Sequence, residues 1–218
     1  MRMVLFQWSH EYTAYSHGPI RMKPSPFETR LARGAILAGA VTVFARLGFA
    51  STRVEDILEA AGIARRTFYK YFDGKEAVLA AIYEVATDEL LTEMRSAATA
   101  FGDPLDAIRR GLDVYLDYHV ENAALVRMLV EHAIRSDSPL HPARQRFRQE
   151  LVRLIGQAVR ATTGEKHDAL LYAALVSAME GVSLDLLASA GARGVSTAAI
   201  GRAKRVMHTI LTRVLAPS

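Results

Sequence analysis

S-T-R-V-E-D-I-L-E-A-A-G-I-A-R-R-T-F-Y-K-Y-F-D-G-K-E, from Ser51 to Glu76, holds two short helical patterns separated by A-G-I. Thr52 and Glu55 have the S/T-x-x-E spacing in which a hydroxyl and a carboxylate each satisfy a backbone donor left open at a helix start. A helix is therefore expected from near Arg53. Val54, Ile57, Leu58 and Ala61 follow as one apolar stripe at helical spacing, and Gly62 supplies the backbone freedom that ends it. Ala64, Phe68 and Phe72 then recur every fourth residue and are expected to share a buried face. That leaves Arg65, Arg66, Thr67, Tyr69, Lys70 and Tyr71 on the exposed arc. Asp73 with Glu76 repeats the capping spacing, so a further helix starts at once.

Cations and hydroxyls turned outward on one short helix suit a DNA duplex. Arg and Lys neutralise phosphates or reach guanine edges, while Thr and Tyr hydroxyls bond phosphate oxygens. A merely solvated charged face is the competing reading, but two adjacent exposed aromatics beside three cations are unusual on such a face. The layout is that of a helix-turn-helix. Upstream, Ile36, Ala40, Val43, Phe44 and Leu47 form a stripe from about Glu28, closed by Gly48. Three helices would then enclose one small core. Arg30 and Arg33, near the start of the first, could touch backbone phosphate, but read first as solvated surface arginines.

From Arg33 to Leu79 the chain reads R-x-x-I-L-x-x-A-x-x-x-F-x-x-x-G-F-x-x-T, then I-L-E-A-A-G-I-A-R-R-T-F-Y-K-Y-F-D-G-K-E-A-V-L. This resembles the N-terminal domain of the TetR family of bacterial transcriptional regulators. The resemblance implies that Thr52 and Tyr69 anchor phosphates and that Arg65, Arg66, Thr67, Lys70 and Tyr71 sit in or beside the major groove, with Arg53 and Ala64 also counted among the DNA-binding residues. It also implies that Lys75 meets phosphate from the start of the fourth helix. The family commonly has Ser or Thr where this chain has Ala64, and often Gly where it has Arg66. Loss of the capping hydroxyl costs the helix start about 1 kcal/mol, and the extra cation alters operator preference.

The 218 residues exceed a three-helix reader and suggest a small module, 28–74, followed by a larger one, 75–218. Net charge is +4, and between Glu28 and Glu76 eight cations face six acids. Where the charges point therefore matters more than bulk charge. With no cysteine, disulfides, thiolate metal sites and cysteine nucleophiles are excluded, which suits a reducing cytoplasm. Residues 1–27 carry three prolines and the sole Trp without a helical stripe, and their apolar run at Val4 to Phe6 is too short for a signal or membrane segment. They read as a disordered arm or as the product of a start codon set too early.

The rest reads as all-α. No proline lies between Phe27 and Gly102, permitting a helix from Lys75 to about Ala100. Asp103 and Pro104 open another, to about Val120. Asn122 caps a third, which ends at S-D-S-P-L-H-P; further helices are expected at 143–162, Asp168 to Ala190 and Thr197 to Leu215. Asp168 to Ala190 is apolar over most of its circumference, with Ala173, Ala174, Ser177, Ala178 and Gly181 small enough to admit a neighbouring helix. With Ile200, Val206, Ile210 and Val214 of the last helix it could form a four-helix homodimer interface reading a palindromic double-stranded DNA operator, or it could fill a monomer core.

The resemblance also implies a small-molecule effector cavity in the larger module. Tyr115, Tyr118, His119, Met128, His132, Phe147, Tyr172, Met179 and Glu180 are its candidate walls, suited to a hydrophobic or amphipathic ligand, although each would serve equally as core packing. The overall expectation is a cytoplasmic repressor without cofactor or metal, released by that ligand. A regulator without an effector and a helical-bundle enzyme are the alternatives. Against the enzyme, no His has Glu three residues before it, and H-E-x-x-H, G-x-S-x-G and phosphate-cradling loops are absent.

Overall fold

The computed structural model describes residues 25–99, 104–164, 167–190 and 194–215. Among these the chain forms nine helices and no strand: α1 Pro26–Leu47, α2 Val54–Ala61, α3 Arg65–Phe68, α4 Lys75–Thr99, α5 Pro104–Glu121, α6 Ala123–Ala133, α7 His141–Thr163, α8 Ala169–Ala188 and α9 Thr197–Leu215. Most of the expected arm lies outside the described residues. Its last residues belong to α1, because Ser25 and Glu28 form a reciprocal capping box, Ser25 N to Glu28 Oε2 at 2.7 Å and Glu28 N to Ser25 Oγ at 3.1 Å. Pro26 occupies the first turn, where its missing N–H costs nothing.

Two other starts differ from expectation. The Thr52 hydroxyl does not cap α2; it donates to the Gly48 carbonyl at 2.8 Å, and the cap is instead Asp56, whose carboxylate accepts from Arg53 N at 2.7 Å. Asn122 precedes α6, but its amide donates to the Tyr118 carbonyl at 3.0 Å. The box expected at Asp73 and Glu76 is not formed among the described residues, and the Gly74 carbonyl accepts from Val78 N at the head of α4. Asp168 does cap α8, accepting from Leu170 N at 2.8 Å.

Turns follow the glycines. Gly62, with φ +64°, lets its own N–H reach Glu59 O and the Ile63 N–H reach Leu58 O, the double bond that closes a helix in the left-handed conformation. Gly39 is buried where α1 crosses α2, and a Cβ there would stand 2.9 Å from Ala61 N.

The apolar residues form two clusters. One joins α4, α5, α7, α8 and α9 around Leu116, Leu151, Val176 and Met207. By length and composition α8 could cross a membrane, with a mean hydropathy of 1.6, yet Tyr172, Leu175, Val176, Met179 and Leu187 are buried in this core. The second cluster corrects the expectation of a self-contained three-helix core. Ile36, Ala40, Phe44, Ile57, Phe68 and Phe72 pack with Val78, Leu79 and Ile82 of α4 and with Leu129 and Ala133 of α6.

Candidate nucleic-acid interface and internal cavity

α3 is a single helical turn, continued to Phe72 by tight turns such as Tyr71 N to Phe68 O at 2.9 Å. Phe68 and Phe72 are buried and orient the segment, but Ala64, expected on that buried face, is exposed at the helix start. Arg53, Arg65, Arg66, Tyr69 and Lys70 are exposed and Thr67 is half-buried. Tyr71, expected to be exposed, is half-buried against the reader's core. Arg65 forms an ion pair with Glu55 across the turn and stacks over Tyr69 at 6.0 Å. Arg33, read as a solvated residue, lies 5.0 Å over the Phe72 ring and so stands beside α3.

Two expected contacts are turned away from the surface. Thr52 is only 2% exposed, with its hydroxyl committed to Gly48. Lys75 directs its ammonium at three backbone carbonyls, Phe49 at 2.9 Å, Ala50 at 3.1 Å and Thr52 at 2.8 Å. An ammonium has three donors, and all are used. The same nitrogen sits 4.7 Å over the Phe49 ring. Lys75 thus pins the α1–α2 turn to the head of α4 rather than offering charge outward.

The larger module contains a cavity of about 650 Å³, counted out through its mouth. Five of the expected wall residues meet there: Tyr115, Tyr118, His119, Phe147 and Glu180. Four do not. Met128 packs against the reader's core, and the His132 ring stacks edge-on against Phe49 at 4.7 Å. Both stand on the opposite side of α6 from Val126, Val130 and Ala133, which line the cavity. Met179 is buried in the main core without lining the cavity, and Tyr172 lines a separate shallow hollow on α7 and α8.

Sequence reading missed Arg144, Tyr83 and Ser183. Arg144 donates to Glu180 at 3.1 Å, and Arg148 pairs with the same carboxylate while reaching Ser177 Oγ at 3.0 Å. No local signal marked this cluster, since Glu180 lies 36 and 32 positions from its partners. Burial pushes the Tyr83 phenol up to about 12 and the Tyr115 phenol higher still, so both remain neutral donors. His119 Nδ1 lies 2.8 Å from the Tyr115 carbonyl, and burial lowers its pKa to about 4. The ring is neutral near pH 7, donates from Nδ1, and keeps Nε2 as an acceptor. The cavity thus has apolar walls and one polar end.

Cavity and reader share a wall. Tyr83, Ala86, Leu129 and Ala133 line the cavity and belong to the cluster that holds the helix-turn-helix.

The sequence model for bacterial regulatory proteins of the tetR family matches residues 36–82. The HTH-type transcriptional regulator EthR of Mycolicibacterium smegmatis is 35% identical over 94 residues, 43% of each chain. The HTH-type transcriptional regulator RutR of Escherichia coli K12 is 36% identical over 88 residues, covering 38% of this chain and 41% of RutR. The chain thus spans under half the length of these curated relatives. Among solved structures, a TetR-family regulator of Syntrophomonas wolfei superposes with TM-score 0.69 at 13% identity, over 86% of this chain and 96% of its own. The fatty acid degradation regulator FadR of Bacillus halodurans gives 0.66 at 18%, over 85% and 98%. The folds agree over 86% and 85% of this chain, while the family's sequence model matches residues 36–82. Residues 36–82 thus resemble the DNA-reading domain of bacterial regulatory proteins of the tetR family, and the all-helical fold is the one seen in TetR-family structures.

Proposed function

We propose that this protein is a homodimeric, sequence-specific DNA-binding repressor in the cytoplasm, released from a palindromic operator by a small apolar or amphipathic molecule held in the cavity. The wall shared by cavity and reader carries the reading, because any ligand that displaces Leu129 or Ala133 also displaces the packing beneath α1, α2 and α3. Arg65, Arg66, Thr67 and Lys70 meet bases or adjacent phosphates, Arg53 and Tyr69 meet phosphate, and Ala64 and Tyr71 flank them. Thr52 and Lys75 act from behind as supports.

The dimer reading rests on α8, where Ala174, Ser177 and Gly181 are exposed along one side and Leu170 is 74% exposed, with Val206 of α9 at 46%. Such a face permits close helix approach between subunits. Two joined readers tolerate little change in spacing. A ligand that favours the non-binding geometry by about 3 kcal/mol would weaken operator affinity about a hundredfold.

Selection from a random duplex library near physiological salt tests the DNA reading directly. A twofold-symmetric site is expected among the winners. Recovery of no preferred sequence, or of a single half-site bound by a monomer, would overturn the proposal.

A further inference from the structure

The cavity beside Arg144 has a neighbour in the same helical seam. A second apolar hollow, about 450 Å³ with its mouth included, lies between Met94 and Ala98 of α4, Gly111 of α5, and Leu154 and Ala158 of α7. On α4, Leu90 lines the first space and Met94, one turn on, the second; on α5, Tyr115 and Gly111 stand in the same relation. Between the two stand Met94, 8% exposed, and Leu151, which helical spacing sets between Phe147 of the first space and Leu154 of the second. Met94 Cε lies 3.7 Å from where a Cβ on Gly111 would stand. A methionine turns about three side-chain bonds and yields to a ligand more readily than a branched residue.

The polar end of the first space is out of electrical balance. Arg144 and Arg148 share the single carboxylate of Glu180, and these side chains are 20%, 19% and 18% exposed. One positive charge is left unmatched among the described residues. Tyr83 and Tyr115 supply no anion, since burial holds both phenols protonated. A partly desolvated cation gains most from a partner that brings the opposite charge with it.

We propose that the effector is a linear amphiphile bearing one carboxylate, with the carboxylate on Arg144 and the alkyl chain threaded past Met94 into the second hollow. This rests on the effector-release reading above and names the ligand class. From Tyr83 to Ala98, α4 rises about 22 Å. The contact between carboxylate and guanidinium takes about 3 Å of this length, and an extended alkyl chain advances about 2.5 Å per two carbons, so roughly 14 to 16 carbons fill the remaining seam, whereas eight carbons fill only the first space.

Calorimetric titration with octanoate, tetradecanoate and the two matching alcohols, all below their aggregation limits, tests this on the full chain. Tetradecanoate should bind at least about tenfold more tightly than octanoate, a conservative figure for six further buried methylenes. Gly111→Leu should remove that gain and leave octanoate binding intact, which also shows that the variant is folded. Met94→Trp serves as the second plug if Gly111→Leu does not fold. Arg144→Gln should abolish the preference for acid over alcohol. Equal affinity for acid and alcohol in the unaltered protein, or a chain-length gain that survives a folded plug variant, would overturn the inference. Octanoate that binds and releases the selected duplex with no chain-length gain would sink the threading into the second hollow yet uphold effector release. Absence of binding by all four probes would discard the ligand class, leaving the DNA reading to the duplex selection.

Discussion

Lys75→Met separates two roles that one lysine could play at this position. Methionine keeps the aliphatic stem but removes the donors to Phe49, Ala50 and Thr52 and the charge above the Phe49 ring. A hydrogen bond from a charged group contributes about 1.5–3 kcal/mol, but the three here share one ammonium and their half-buried carbonyls can turn to water. The set is therefore credited with about 2–3 kcal/mol, and the ring contact with about 0.5–1 kcal/mol. A net loss of about 3 kcal/mol corresponds to a fall in melting temperature of about 6–12 °C for a chain of this size. Reversible urea unfolding at fixed protein concentration measures the stability, and the salt dependence of duplex binding measures phosphate neutralisation. A structural clamp predicts lower stability with the slope of log affinity against log salt unchanged. A lysine on phosphate predicts the reverse, with the slope shallower by about 0.9 for each phosphate no longer neutralised. Unaltered stability together with the shallower slope would refute the clamp.

Glu55, His119 and Gly62 each give a further test. Glu55→Gln frees Arg65 from an exposed ion pair and removes a charge that repels phosphate, so duplex binding at low salt should tighten roughly two- to fivefold. Unchanged affinity in an anisotropy titration would count against Arg65 meeting DNA. Above about pH 6.5 the His119 ring is neutral folded or unfolded; between 6.5 and about 4 the unfolded chain gains a proton that the buried ring refuses. Stability should therefore fall with pH across that window, by about 3 kcal/mol at its lower end, and His119→Gln should flatten the slope in acid unfolding. Gly62→Ala forces a side chain into a backbone with φ +64° and should cost about 1 kcal/mol, read as a lower unfolding midpoint.

Periodicity made most of this fold legible along the chain. The proline-free run gave α4 to within a residue, and Thr197 to Leu215 is α9 as expected. Gly62 and the stripe from Val54 to Ala61 placed the turn of the reader. What periodicity could not carry was the phase of a helix buried on two sides. Met128 and His132 sit four residues apart on the reader's side of α6, while Val126 and Val130 face the cavity. Apolar residues on both faces left no polar side to orient that helix. The roles of Thr52 and Lys75 were hidden for a different reason. Their partners are backbone carbonyls, which every residue offers alike, and those bound by Lys75 lie 23 to 26 positions away. Arg144 and Arg148 meet Glu180 only because α7 lies along α8, a tertiary fact with no local trace.

The borrowed core of the reader limits how this protein can be cut and recombined. Of the sixteen buried residues that hold the helix-turn-helix, ten come from α4 onward, including Leu129 and Ala133 of α6 and Leu140 and Ala143 beyond it. A fragment ending at Gly74 would keep every DNA-facing side chain yet expose Phe68 and Phe72 to water. Recognition is consequently not a detachable cassette here. A hybrid that joins this reader to a foreign effector module has to carry α4 and α6 across the junction, or rebuild their apolar faces in the new partner.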